Sequence, residues 1–276
     1  MHSDELPVGL AEPNPLPLIL SHYTNKHMND SIIHALDFDG VICDSAVETA
    51  ITGWKAASQI WEDMPASAPQ IMIDQFRRVR PIIETGYEAI LAMRLLDLGV
   101  SCEAIFSDYA EKTGQLLQQA KVGSDDLKKL FGETRDHWIA ADLADWIAMN
   151  PLFPGVAEKL RKLSQTNTWY VITTKQERFV KQILQANAIE LAEERIFGLD
   201  RNMSKSEVLK GLLRTHPHQA MHFVEDRLPT LINVQKQPEL AEVELLFASW
   251  GYNTAEDKTL AYQRGFIGLE LDDFLS

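Results

Sequence analysis

The chain has 276 residues, 45% of them hydrophobic and 24% charged, enough for one large globular domain or two smaller ones. Its 26 lysines and arginines against 40 aspartates and glutamates leave a net charge of −14. That balance excludes a nucleic-acid backbone binder, which needs a basic face, and any anionic ligand must be held by a local cation and placed lysines. The two cysteines, Cys43 and Cys102, exclude a disulfide framework and fit a reducing, cytoplasmic setting, and no apolar run of about 18 residues marks a membrane span.

Residues 1–30 are rich in proline and polar groups and are expected to form an extended tail over the core. The apolar stretch at 16–20 is too short for a signal-peptide core, and the residues before it are acidic rather than basic. The run Ile32-Ile33-His34-Ala35-Leu36 then has the character of a strand at the centre of a parallel sheet, covered on both faces. His34 within it reads as a packed histidine. The run leads into Asp37-Phe38-Asp39-Gly40-Val41. In extended chain, residues i and i+2 point the same way. Asp37 and Asp39 therefore converge beyond the strand's carboxyl end, where open α/β sheets bind their ligands. Two bare carboxylates repel each other; a hard cation relieves the repulsion, and oxygen donors suit Mg²⁺. Gly40 permits a sharp turn or a close approach to a ligand. Taken alone, the pair also reads as a strand end with acidic turn residues.

Residues 45–150 carry helical periodicity and no convincing strand, which predicts a small all-helical domain inserted after the first strand. Ser45 and Glu48 have capping-box spacing, and Val47, Ala50, Ile51, Trp54, Ala57 and Trp61 follow on one face. Helices are expected over 71–79, 84–98, 103–121 and 125–149, with Gly99 as a C-terminal stop. Arg77, Arg78 and Arg80 form the densest basic cluster. They read either as a solvated face or as a set in which Arg80, beside Pro81, reaches a substrate carboxylate or phosphate. Pro151 and Pro154 mark the exit from the insertion.

Strands and helices alternate from residue 156, the pattern of a parallel α/β sheet. A strand over 168–172 ends at Thr173-Thr174-Lys175, and Thr174 and Glu177 have capping-box spacing. A helix N-terminus there, with free N–H groups and a hydroxyl, is either an anion site or an ordinary cap. A strand over 195–199 precedes Ser204-Lys205-Ser206-Glu207, a further capping box. Lys205 would stand at the positive end of the helix dipole, which invites an anionic partner. A strand over 220–224 ends in Glu225-Asp226, and either acid can add oxygen ligands to those of Asp37 and Asp39. Strands over 244–249 and 265–269 complete the pattern, and His216 and His218 read as solvated turn residues.

Four of these segments, in this order, resemble the haloacid-dehalogenase-like (HAD) superfamily on its phosphatase side, in the neighbourhood of phosphoglycolate-phosphatase-like proteins. They are Asp37-Phe38-Asp39-Gly40-Val41, Val171-Ile172-Thr173, Lys205 and Val224-Glu225-Asp226. The resemblance spans residues 31–275. It implies a Rossmann-like α/β parallel-sheet core (31–44 and 151–276) with an inserted all-helical cap (45–150). It further implies a Mg²⁺-dependent phosphatase acting on a small phosphorylated metabolite. Asp37 would be the nucleophile and Asp39 the acid and base. Thr173, Thr174 and Lys205 would hold the phosphoryl oxygens; Gly40, and the Arg80 read above from the basic cluster, are the further candidates for holding the substrate. Mg²⁺ would bind Asp37, the Asp39 carbonyl and Asp226 or Glu225. The fourth segment departs from the family's common form, with Glu225 in the usual place of glycine and Thr230 in that of a later acid. A phosphomutase of the same family and a non-catalytic metabolite-binding or regulatory module are the alternative readings. Neither the substrate nor the oligomeric state is legible.

Overall fold

The structure, a computed structural model, describes residues 32–276, so the tail expected over 1–30 lies outside the described residues. Six strands form one fully parallel sheet: β1 (Ile33–Leu36), β2 (Thr168–Ile172), β3 (Ile196–Phe197), β4 (Met221–Glu225), β5 (Val243–Ala248) and β6 (Ile267–Leu269), in the order β3-β2-β1-β4-β5-β6. The expected α/β class is therefore the observed one. The order reverses direction at β1 and β4. Loops leaving adjacent strands there diverge and leave a crevice at the carboxyl ends, the place where such sheets bind ligands.

Seven helices separate β1 from β2, and the first six make up the inserted segment: α1 (Ala46–Ile60), α2 (Gln70–Val79), α3 (Glu88–Asp97), α4 (Cys102–Ala120), α5 (Ser124–Ala141) and α6 (Leu143–Ala148). They bury an apolar cluster of their own, centred on Trp54, Phe76, Ile83, Ile90 and Leu96. Trp138 and Trp146 leave that cluster and pack with the sheet. The chain enters and leaves the helical segment side by side. Asp44 N–H donates to the Pro151 carbonyl at 2.8 Å, and Phe153 N–H donates to that of Ile42 at 3.1 Å.

The remaining helices cover both sheet faces: α7 (Val156–Thr166), α8 (Glu177–Ala186), α9 (Lys205–Thr215), α10 (Leu228–Gln235), α11 (Ala255–Gln263) and α12 (Leu271–Leu275). On one face Leu36, Trp169, Val171, Val224 and Leu246 pack with α7, α8 and α12; on the other Ile33, Ala35, Tyr170, Phe223 and Phe247 pack with α9 and α10. The continuous apolar strands follow from this two-sided cover. No helix among the described residues is long and apolar enough to cross a membrane.

Local chemistry moved several expected boundaries. The helix expected over 125–149 is two helices. Asp142 between them is extended, and its carboxylate accepts from Asp145 N–H at 2.9 Å, a side-chain competitor to the helical ladder. The helix expected from 84 begins at Glu88, whose carboxylate takes the N–H groups of Glu84 and Thr85. The strand expected over 195–199 stops at Phe197, because the N–H groups of Gly198, Asp200 and Arg201 turn to the Glu177 carboxylate. Glu177 is thereby used, and Thr174 does not cap α8: the residue before that helix is Gln176. His216 is not simply solvated, since its Nε2 lies 2.7 Å from the Tyr170 hydroxyl.

Candidate active site

The ladder itself carries the first acid to the crevice. Asp37 follows β1 directly, and its N–H still donates to the Val224 carbonyl of β4 at 2.9 Å. Thr173 is held the same way one strand over, its N–H on the Phe197 carbonyl at 2.8 Å. Glu225 and Asp226 end β4 beside them. Asp37, Glu225 and Asp226 each bring a carboxylate oxygen within 4.8 Å of the others. All three are buried.

Lys205 resolves part of this charge. Its Nζ lies 2.9 Å from Asp37 Oδ1 and 2.7 Å from Glu225 Oε2. Burial alone would lower the lysine's pKa, but the two carboxylates outweigh it and hold the ammonium above the ordinary lysine range. The capping box expected at this helix start is present, with Ser204 and Glu207 exchanging bonds, so α9 begins where Lys205 faces the acids. The cation at the positive helix end is offset by two anions.

One lysine does not balance three carboxylates. Burial and the neighbouring Glu225 push Asp37 up to about 7. Burial, Glu225 and Asp37 push Asp226 well above the carboxylate range. Asp226 Oδ2 accepts from Tyr252 N–H at 2.6 Å, while its Oδ1 is buried with no hydrogen-bond partner. Glu225 is differently committed: one oxygen faces Lys205, and the other accepts from Arg227 N–H at 3.0 Å. A buried orphan oxygen amid hard, excess-negative donors fits Mg²⁺, and it distinguishes Asp226 from Glu225 as the freer donor.

Asp39 sits in the opposite electrostatic setting. Its Oδ1 accepts from Ser45 Oγ at 2.5 Å and from Lys175 Nζ at 2.9 Å. Burial would raise its pKa, but Lys175, Arg80 and the Ser45 hydroxyl outweigh burial and hold it at about 2. This corrects the expectation for α1: Ser45 makes no cap bond, because its hydroxyl is spent on Asp39. Glu48, its supposed capping partner, is fully buried on Arg135.

These groups surround a cavity of about 370 Å³. Asp37, Asp39, Thr173, Thr174, Lys205, Arg80 and Asp226 line it, as do Glu84, Arg227 and Tyr252. The arginine cluster is divided. Arg80 is buried over the Tyr252 ring at 4.2 Å, whereas Arg77 pairs with Asp44 and Arg78 with Glu103. Thr174 lies at the rim, its hydroxyl donating to the Glu84 carbonyl at 2.9 Å. Gly40 is not among the residues that line the cavity. Its φ is +89°, and a Cβ there would stand 2.1 Å from Asp226 Oδ2. Its bare backbone makes room for Asp226 instead. Cys43 is buried, and burial raises its thiol well above the ordinary range, which makes it inert.

Sequence reasoning missed Lys175, Glu48 and Arg135, and the Gly251-Tyr252 turn after β5 that orients Asp226. The position of Lys175 at a strand's carboxyl end, two residues after Thr173, was the available signal. Nothing in the spacing of Glu48 and Arg135 announces that they meet.

No protein-family model matches the chain, and no curated protein matches its sequence. Solved structures do match. A predicted phosphoglycolate phosphatase from Haemophilus somnus 129pt is similar at TM-score 0.57 and 17% identity, over 90% of this chain and 97% of that one. A predicted phosphatase from Clostridium acetobutylicum is similar at TM-score 0.55 and 15% identity, over 90% and 97%. A haloacid dehalogenase-like family hydrolase from Streptococcus pneumoniae is similar at TM-score 0.51 and 18% identity, over 87% and 93%. With a parallel sheet of this strand order and a helical segment between its first two strands, the chain has the haloacid-dehalogenase-like fold.

Proposed function

We propose that the protein is a Mg²⁺-dependent phosphatase that hydrolyses a small phosphate monoester through an aspartyl-phosphate on Asp37. The observation that carries this reading is the meeting of Asp37, Glu225 and Asp226 around Lys205, at a cavity that Asp39 and Thr173 also line. Asp37, Asp226 and the Asp39 carbonyl would hold Mg²⁺, which when bound offsets charge on the phosphoryl oxygens and on the acids. An Asp37 oxygen attacks phosphorus, and the ester P–O bond breaks. Asp39 gives a proton to the departing oxygen. It then takes one from the water that attacks the aspartyl-phosphate, releasing inorganic phosphate and restoring Asp37. Asp39 is ionised in the resting site. A phosphate dianion brought beside it opposes Lys175 and Arg80 and favours the protonated form that the first step needs.

Thr173, the backbone at Thr174 and Lys205 would hold the phosphoryl oxygens, since phosphoryl transfer is mainly positioning and charge stabilisation. The helical segment 45–150 would act as a cap, with Arg80 and Glu84 facing the leaving group. Glu225 in place of the common glycine supports catalysis rather than a mere binding module: its ion pair keeps Lys205 aimed at Asp37. A phosphate-release screen over phosphorylated metabolites with Mg²⁺ tests the proposal. Turnover is expected for at least one small monoester and is expected to vanish in Asp37→Asn. Turnover by that variant at the wild-type rate overturns the assignment.

A further inference from the structure

Beside the proposed site lies a group of charged side chains that the reaction above leaves without a task. Lys175 Nζ stands 2.9 Å from Asp39 Oδ1 and 3.9 Å from Glu48 Oε2. Glu48, on α1, is gripped at both oxygens by Arg135 of α5, at 2.8 and 2.7 Å. Thr52 and Trp146 add bonds of 2.6 and 3.1 Å to the same carboxylate. The Lys175 and Glu48 side chains are 1% and 0% exposed, and that of Arg135 is 5%. Two anions and two cations thus form a neutral quartet, buried except at Asp39, whose side chain is 16% exposed, that reaches from the helical segment to the end of β1.

The placement on Asp39 is asymmetric. Lys175 and Ser45 both bind Oδ1, and Oδ2 has no hydrogen-bond partner among the described residues. Two donors on one oxygen fix the plane of the carboxylate and leave the other oxygen to the cavity that Asp39 lines. We propose that Lys175, braced by Glu48 and Arg135, is a positioning residue that presents Asp39 Oδ2 for proton transfer. Lys175 touches neither substrate nor Mg²⁺ in this scheme. The inference rests on the phosphatase reading. It adds that the helical segment reaches the acid and base through Glu48 and Arg135, in addition to closing over the site.

The test compares Lys175→Met, Lys175→Arg and the wild type, with Mg²⁺, on p-nitrophenyl phosphate and on an alkyl phosphate (glycerol 2-phosphate, or the best alkyl ester of the screen). Nitrophenolate departs without a proton; an alkoxide does not. Lys175→Met is expected to lose about tenfold or more in kcat on the alkyl ester beyond its loss on the aryl ester, with KM for both little changed. Lys175→Arg is expected to recover part of that difference. Equal losses on the two esters, or none, overturn the proposal, because a merely structural ion pair does not discriminate between leaving groups. Should Lys175→Met fail to fold, Glu48→Gln is expected to show the same selective loss in smaller degree, and its absence overturns the proposal equally. A wild type that releases phosphate from no ester sinks the phosphatase reading instead. The positioning claim is then decided by a crystal structure of a folded quartet variant, in which an Asp39 carboxylate unmoved from Ser45 refutes it.

Discussion

Replacing Asp37 by asparagine probes the excess negative charge of the site without any substrate. Burial and Glu225 raise the folded-state carboxyl from 3.8 to about 7. The folded protein therefore holds this proton more tightly than the unfolded chain does. The resulting stability is fully present below 3.8 and is lost as pH rises through about 7. At about 1.36 kcal/mol per pH unit, the loss reaches about 2 kcal/mol at roughly pH 5.5 and about 4 kcal/mol at roughly pH 8. Asp37→Asn removes the titrating group, while Lys205 keeps Glu225 as a partner. In EDTA, guanidinium denaturation of both proteins should show the variant gaining about 2 kcal/mol on the wild type between those two pH values. Mg²⁺ at about 100 times its dissociation constant should restore about 2.7 kcal/mol to the wild type at the higher pH, and far less to the variant. A variant-minus-wild-type difference that is flat or falls with rising pH would refute the charge balance argued for Asp37.

Gly40→Ala places a methyl 2.1 Å from Asp226 Oδ2 at a φ of +89°. The backbone term alone is about 1–2 kcal/mol, and Asp226 must also move. Thermal unfolding should show the lowered stability, and Mg²⁺-dependent phosphate release should drop by about tenfold or more; wild-type values in both would show that the close approach carries no weight. His34 offers an acid-side counterpart. Burial and the adjacent His222 lower it from 6.5 to about 4, with Lys159 adding to the effect and Glu244 paired to His222. Its contribution to stability is full above 6.5 and is lost as pH falls towards 4, about 2 kcal/mol between roughly pH 7 and pH 5. Denaturation of His34→Gln should lack that part of the wild-type slope, and identical slopes would remove His34 as its source.

Local sequence by itself determined the strands, the helix-rich segment between the first two of them, and the acids at strand ends. A short apolar run suits a doubly covered strand, and its alternation with period-3.6 segments leaves few other folds. It also determined where α9 starts, because Ser204 and Glu207 satisfy each other within four residues. The same spacing at Ser45 and at Thr174 did not make caps, and only the tertiary structure decided that. Ser45 found Asp39 and Glu177 found the loop after β3, charge-assisted bonds to partners outside the helix turn. The pairing of Lys175 with Asp39 spans 136 positions, and that of Arg135 with Glu48 spans 87. No local pattern encodes such meetings. The first exists because parallel pairing sets β1 beside β2, so that Asp39 and Lys175 leave their strands at one crevice, and the second because α1 packs against α5.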